Sequence, residues 1–191
     1  MDGVMDAEAR FRALFKATYP TVARYARHRG LTGHDADDLV AATYEVAWRR
    51  LDVVPAGEGA LPWLLTVALN QLRNHRRRVL RDRALVERLP PPEHTPPPGE
   101  PFGVGWREIR RALDALSEDD RELVLLVAWD GLTPGQAASV LGLTPAATRT
   151  RLHRARARLA DLLGVERRGA ARGTKTAGAA RGPKTARRSG T

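Results

Sequence analysis

The chain has 191 residues, 42% of them hydrophobic, and carries 32 Lys or Arg against 22 Asp or Glu, a net charge of +10. That length suits one ordinary domain or two small ones. There is no cysteine, which excludes disulfides, thiolate metal sites and cysteine nucleophiles. The opening segment MDGVMDAEAR is acidic and lacks the order of a signal peptide. The longest strongly apolar run, Leu123 to Trp129, falls far short of the ~18 residues of a membrane span. A soluble cytoplasmic protein with no membrane partner is the expectation.

In chain order, a first helix is predicted from Asp6 to Arg29, because Phe11, Leu14, Phe15, Thr18, Val22 and Tyr25 keep a 3-and-4 spacing. Gly30 stops it. A second helix begins near His34 or Asp35 and reaches Arg50, with Leu39, Ala42 and Val46 in register and Tyr44 and Trp48 one turn off. Leu51 to Leu61 contains Pro55, Gly57 and Gly59 and reads as a loop. A third helix from Pro62 turns Trp63, Leu64, Val67, Ala68 and Leu72 inward. It runs into six arginines between Arg73 and Arg83, set against one Asp. Residues 6–84 should make one small all-α domain.

Seven of the sixteen positions from Pro90 to Gly105 are proline, so this stretch cannot continue a helix. In polyproline form, at ~3.1 Å per residue, it spans on the order of 50 Å. Residues 85–105 are therefore read as a linker that lets two domains bind distant points. Residues 106–164 form the second domain. Ile109, Ala112, Leu113 and Leu116 line its first helix. Ser117 and Asp120 give a box-like cap before Leu123, Val124, Leu126 and Val127. Residues 165–191 hold eight Lys or Arg and one Glu, with little apolar content, and are expected to be a disordered basic tail.

Gly131 to Arg158 is the most informative stretch. Thr133 is placed as an N-cap, Pro134 at the first helical position, and Gln136 three residues after the cap. Gly142 ends that short helix in a left-handed conformation, and Thr144 with Pro145 starts the next. Two caps around one glycine stop make a helix-turn-helix, whose second helix suits a DNA major groove. On that helix Thr148, Leu152, Ala155 and Leu159 form a packing stripe. Ala146, Thr150, His153 and Ala157 lie opposite, flanked by Arg149 and Arg154. Small residues at the entry let the helix sit deep, and arginine pairs with the guanine edge. Arg151, Arg156 and Arg158 fall nearer the packing edge and suit phosphates.

Clustered charge makes the same point. Five arginines lie between Arg149 and Arg158 with no acid, and Arg76, Arg77 and Arg78 sit in the other cluster; both patches suit phosphate. The five histidines are scattered, with no metal-pair spacing and no glycine-rich phosphate loop, so no enzyme, metal or cofactor is expected. A two-domain regulator that binds duplex DNA without polymerase explains the helix-turn-helix equally well. A packaging protein explains only the tail.

Two segments together with a third carry a family resemblance. DADDLVAATYEVAWRR (Asp35 to Arg50) and LPWLLTVALNQLRNHRRR (Leu61 to Arg78) resemble region two of bacterial RNA polymerase sigma factors. LSEDDRELVLLVAWDGLTPGQAASVLGLTPAATRTRLHRARARL (Leu116 to Leu159) resembles region four. The order and the linker are those of the small extracytoplasmic-function type. The resemblance implies two helical domains, a three- to four-helix region two and a four-helix region four. It implies binding to the clamp and flap of core polymerase, promoter selection and help with strand opening; it also admits an anti-sigma partner. Ala146, Arg149, Thr150, His153 and Arg154 then correspond to the reader of the minus-thirty-five duplex. Asn70 and Asn74 correspond to the reader of the opened minus-ten strand, with Val53 to Leu61 as a pocket for an unstacked base. Polymerase docking falls on Asp35, Asp38, Leu39, Ala41 and Ala42. Here the chain departs from the family, which usually has Gln-Glu where Ala41 and Ala42 stand, and often a basic residue where Leu69 stands.

Overall fold

The computed structural model describes residues 2–85 and 105–164, and the regular structure within them is helical. Helices α1 (Asp2–His28), α2 (Gly33–Arg49) and α3 (Ala60–Leu85) form one unit. Helices α4 (Gly105–Asp114), α5 (Glu118–Ala128), α6 (Pro134–Leu141) and α7 (Pro145–Leu163) form the other. A 3-10 turn, Gly57–Gly59, leads into α3. The prolines of the linker and the basic tail lie outside the described residues.

The first helix begins four residues before its predicted start and passes through Pro20. Proline costs an interior hydrogen bond, but Pro20 is exposed and the next turn is anchored by Val22, Tyr25 and Ala26, each fully buried. The expected apolar face is therefore uneven: Thr18, Val22 and Tyr25 are buried, whereas Phe15 is 38% exposed. Tyr44 of α2 reaches back to α1, where its hydroxyl is 2.8 Å from Thr18 Oγ1. Arg10 ties the N-terminal half of α1 to the inter-helix loop by donating to the Val54 carbonyl at 2.8 Å.

On α3 the inward face is Leu64, Leu65, Ala68, Leu69 and Leu72, all buried. Trp63 and Val67, expected in the core, are only half-buried. At 100° per residue they lie roughly 100–140° from the centre of the Leu64–Ala68–Leu72 stripe, on the side of α3 that meets α6. Leu69, read as a departure from a position where the family often has a basic residue, belongs to the core, where a charge would be buried.

In the second unit, Ser117 caps α5 by accepting from the Asp120 amide at 3.2 Å. The capping box of α6 is complete: Gln136 N donates to Thr133 Oγ1 (3.2 Å) and Thr133 N to Gln136 Oε1 (2.9 Å). Gly142 takes φ 64°, the left-handed geometry that only glycine adopts without strain. Thr144 then caps α7, accepting from Ala147 N at 3.2 Å.

The linker's reach suggested two separated domains, but the described units are docked. Helix α3 packs on α6, and the buried apolar residues of both units form one continuous cluster.

Candidate nucleic-acid interface

The recognition helix stands as its sequence demands. Thr148, Leu152 and Ala155 are buried against the unit, with Leu159 partly so. The Thr148 hydroxyl is satisfied by donating to the Thr144 carbonyl at 3.0 Å. Ala146, Arg149, Thr150, His153 and Arg154 are all exposed on the outer side. Arg156 and Arg158 are exposed as well. Among the described residues, none of these arginines makes an ion pair. A capped, rigid helix thus presents free guanidinium groups beside small residues, the shape and chemistry that major-groove readout requires.

Arg151 differs. It is half-buried, and its guanidinium meets Asp120 at 3.1 Å and Asp119 at 3.6 Å. On α3, Arg76 meets Glu118 at 2.7 Å and Arg73 meets Asp119 at 3.3 Å. Two residues expected on phosphate, Arg76 and Arg151, are therefore occupied by acids from the first turn of α5, while Arg77 and Arg78 are exposed. Nothing local in the sequence signals these pairs, whose members lie 31 to 46 residues apart.

Asn70 and Asn74 are exposed on α3. Asn70 lines a cleft of about 720 Å³ with Trp63, Thr66 and Val67, roofed by Gly135, Gln136 and Ser139 of α6. Pro55, Glu58 and Gly59 of the expected base-pocket loop form another wall, whereas Val54 of that loop is in the core. The face of α2 expected to dock on polymerase exposes Asp35, Asp38 and Ala41, and Ala42 is half-buried. Leu39, expected at the docking surface, is 5% exposed and serves mainly as core. It floors a groove shared by Asp35, Asp38 and Ala42 with Gln71, His75 and Arg78 of α3.

A buried ion cluster joins the units, and the sequence reading missed it. Arg29 and Asp130 have no side-chain exposure. Arg29 binds Glu122 through Nη2 (2.7 Å) and Nε (3.2 Å), and Asp130 through Nη1. Tyr25 donates its hydroxyl to Glu122 at 3.1 Å, and His28 Nδ1 lies 3.3 Å from Asp130. The guanidinium carbon sits 3.7 Å from the Tyr25 ring centroid. Burial works against the Arg29 charge, yet Glu122, Tyr25 and Asp130 outweigh it and hold the guanidinium above its ordinary value. Burial, followed by Glu122, pushes the Tyr25 phenol well above its usual range. The signal that could have found the cluster was a lone Asp at the end of an apolar helix, beside an arginine preceding a glycine stop.

Among the described residues no helix is long and apolar enough to cross a membrane, and no group of His, Cys, Asp or Glu is arranged to hold a metal.

Comparison with known proteins agrees with this arrangement. The family model for sigma-70 region 2 matches residues 14–82, and that for sigma-70 region 4 matches residues 106–159. The RNA polymerase sigma factor CarQ of Myxococcus xanthus is 31% identical over 85% of this chain and 92% of its own length. The RNA polymerase sigma factor NccH of Alcaligenes xylosoxydans xylosoxydans is 30% identical over 74% of this chain and 80% of its own. The solved structure of the sigma factor RpoE with the anti-sigma factor NepR from Bartonella quintana superposes with a TM-score of 0.61. It is 26% identical and covers 86% of this chain and 98% of that one. With both regions matched in order on an all-α frame, the chain belongs to the extracytoplasmic-function branch of the sigma-70 family: it is a non-catalytic sigma factor that directs RNA polymerase to promoters.

Proposed function

We propose that α7 reads the upstream promoter element as duplex through Arg149, Thr150, His153 and Arg154, with Ala146 giving close entry and Arg156 and Arg158 on flanking phosphates. The observation that carries this reading is the exposed row of those side chains over a buried Thr148–Leu152–Ala155 stripe. Asn70 and Asn74 of α3 read the opened downstream strand by its base edges, and Arg76, Arg77 and Arg78 hold its backbone. The exposed acids of α2, Asp35 and Asp38, with Ala41 and Ala42 beside them, dock on the polymerase clamp over a face whose geometry Leu39 sets from below. The linker over 85–105 and the basic tail over 165–191 complete the domain plan, the tail adding phosphate affinity without sequence preference. An anti-sigma protein is the fitting cytoplasmic regulator; what supports it is the relative RpoE, solved in complex with NepR.

Co-elution with core RNA polymerase at low salt tests the reading. The chain is expected to travel with the core enzyme, and Asp38→Arg to weaken that association while leaving the helical content unchanged. Failure of the unaltered chain to bind any core enzyme would favour a plain duplex-binding regulator.

A further inference from the structure

We infer that Arg10, which precedes the residues matched to sigma-70 region 2, is a positioning residue for the loop that reads the unstacked base. It fixes the Pro55 wall of the Asn70 cleft from behind. The inference rests on the strand-reading role given above to that loop and to Asn70.

Leu51 and Val54 anchor the loop at one end and Ala60 at the other, all three buried. Between them residues 55–58 are exposed and Gly59 is half-buried, so the tip of the loop has no packed core of its own. It is a partition with space on both faces. In front lies the cleft of about 720 Å³ that Asn70 lines; behind, against α1, lies a second cavity of about 320 Å³. Pro55 lines both. The rear cavity is open because residues facing it are small: Ala13 and Ala17 from α1, Ala56 and Ala60 from the loop and its end. With so little bulk there, packing alone does not set how far the partition leans toward α1.

Arg10 supplies what packing does not. Its Nη2 donates to the Val54 carbonyl at 2.8 Å, and its side chain lines the rear cavity. That carbonyl oxygen and the Pro55 ring nitrogen belong to one planar peptide unit, so holding the oxygen holds the ring. The ring in turn backs Gly59, where a Cβ would come within 2.9 Å of Pro55 Cβ. This close approach passes the constraint from α1 to Glu58 and Gly59 at the cleft wall. A guanidinium makes a stronger hydrogen bond than a neutral donor does. One such bond, between residues 44 apart, therefore places the partition from outside the span that reads DNA.

Hydrogen exchange on the free chain tests the mechanical claim. The Val53 amide donates to Arg50 and the Ala60 amide to Gly57, so both report on the loop. Arg10→Ala keeps a good helix former at an exposed position, and the fold is expected to persist. Exchange at the two amides should quicken by about tenfold, the scale of one hydrogen bond to a charged group. Amides of α7 should be unaffected. Arg10→Lys, which keeps a charged donor, should restore most of the protection.

Initiation with core polymerase, on a promoter from the organism's own genomic fragments varied one base at a time, reads the consequence. Arg10→Ala is expected to shrink the preference at one or two adjacent downstream positions by roughly tenfold, the scale of one misread base. The upstream preference should stay intact, and Arg10→Lys should recover the downstream one. A loss equal on every sequence would make Arg10 a phosphate contact and overturn the proposal. So would unchanged exchange at Val53 and Ala60, or downstream preference retained in Arg10→Ala. A downstream preference missing already from the unaltered chain would overturn the strand-reading role on which the inference rests. The exchange measurement uses neither polymerase nor DNA, so the two failures are told apart.

Discussion

Arg149 and Arg154 face solvent from a helix whose other side is fixed in the core, so truncating either removes a contact without disturbing the fold. Replacement by Ala is expected to weaken binding of the upstream duplex by about 1–3 kcal/mol and to relax preference at one base position. A competition series over single-base variants of the site measures this. Equal loss on every sequence would make the residue a phosphate contact. The side chains of this helix were legible because their surroundings are local: caps three residues away, a glycine stop, a stripe at helical spacing. Arg151 was legible only in part, since its acids come from α5. Trp63 was legible only in part as well: it packs against the core yet stays half-buried, because it lines the cleft left between α3 and α6.

At the scale of the element, the contact between α1 and α2 carries a pH signature. Burial, opposed by the Thr18 hydrogen bond and aided by Tyr19, raises the Tyr44 phenol from 10.0 to about 12. The folded chain thus holds this proton more tightly than the unfolded chain does. The associated stability is complete below pH 10 and declines as pH rises from 10 towards about 12. Urea midpoints across that interval should fall, and Tyr44→Phe should flatten the fall, leaving the share due to Tyr25. The same variant should lose about 1 kcal/mol at neutral pH with the Thr18 bond. A midpoint independent of pH in the unaltered chain would contradict the assignment. Helix identities and most boundaries followed from periodicity and punctuation. The start of α1 did not, because the helix runs back through Gly3 to Asp2; nor did passage through Pro20, which tertiary packing overrides.

For the whole molecule, the sequence led to two helical units but not to their docking. A proline-rich linker argues for separation, whereas the side-chain contacts that join the units pair residues 42 to 102 positions apart. Family assignment survived this because it depends on two motif sets in order, not on their relative placement. Transcription in vitro with core polymerase from the same organism, on its own genomic fragments, tests polymerase use and promoter choice together. The account predicts initiation at a discrete set of sites only when the chain is present, with Arg149→Ala shifting or weakening that set. Initiation no more selective than that of core polymerase alone would contradict it.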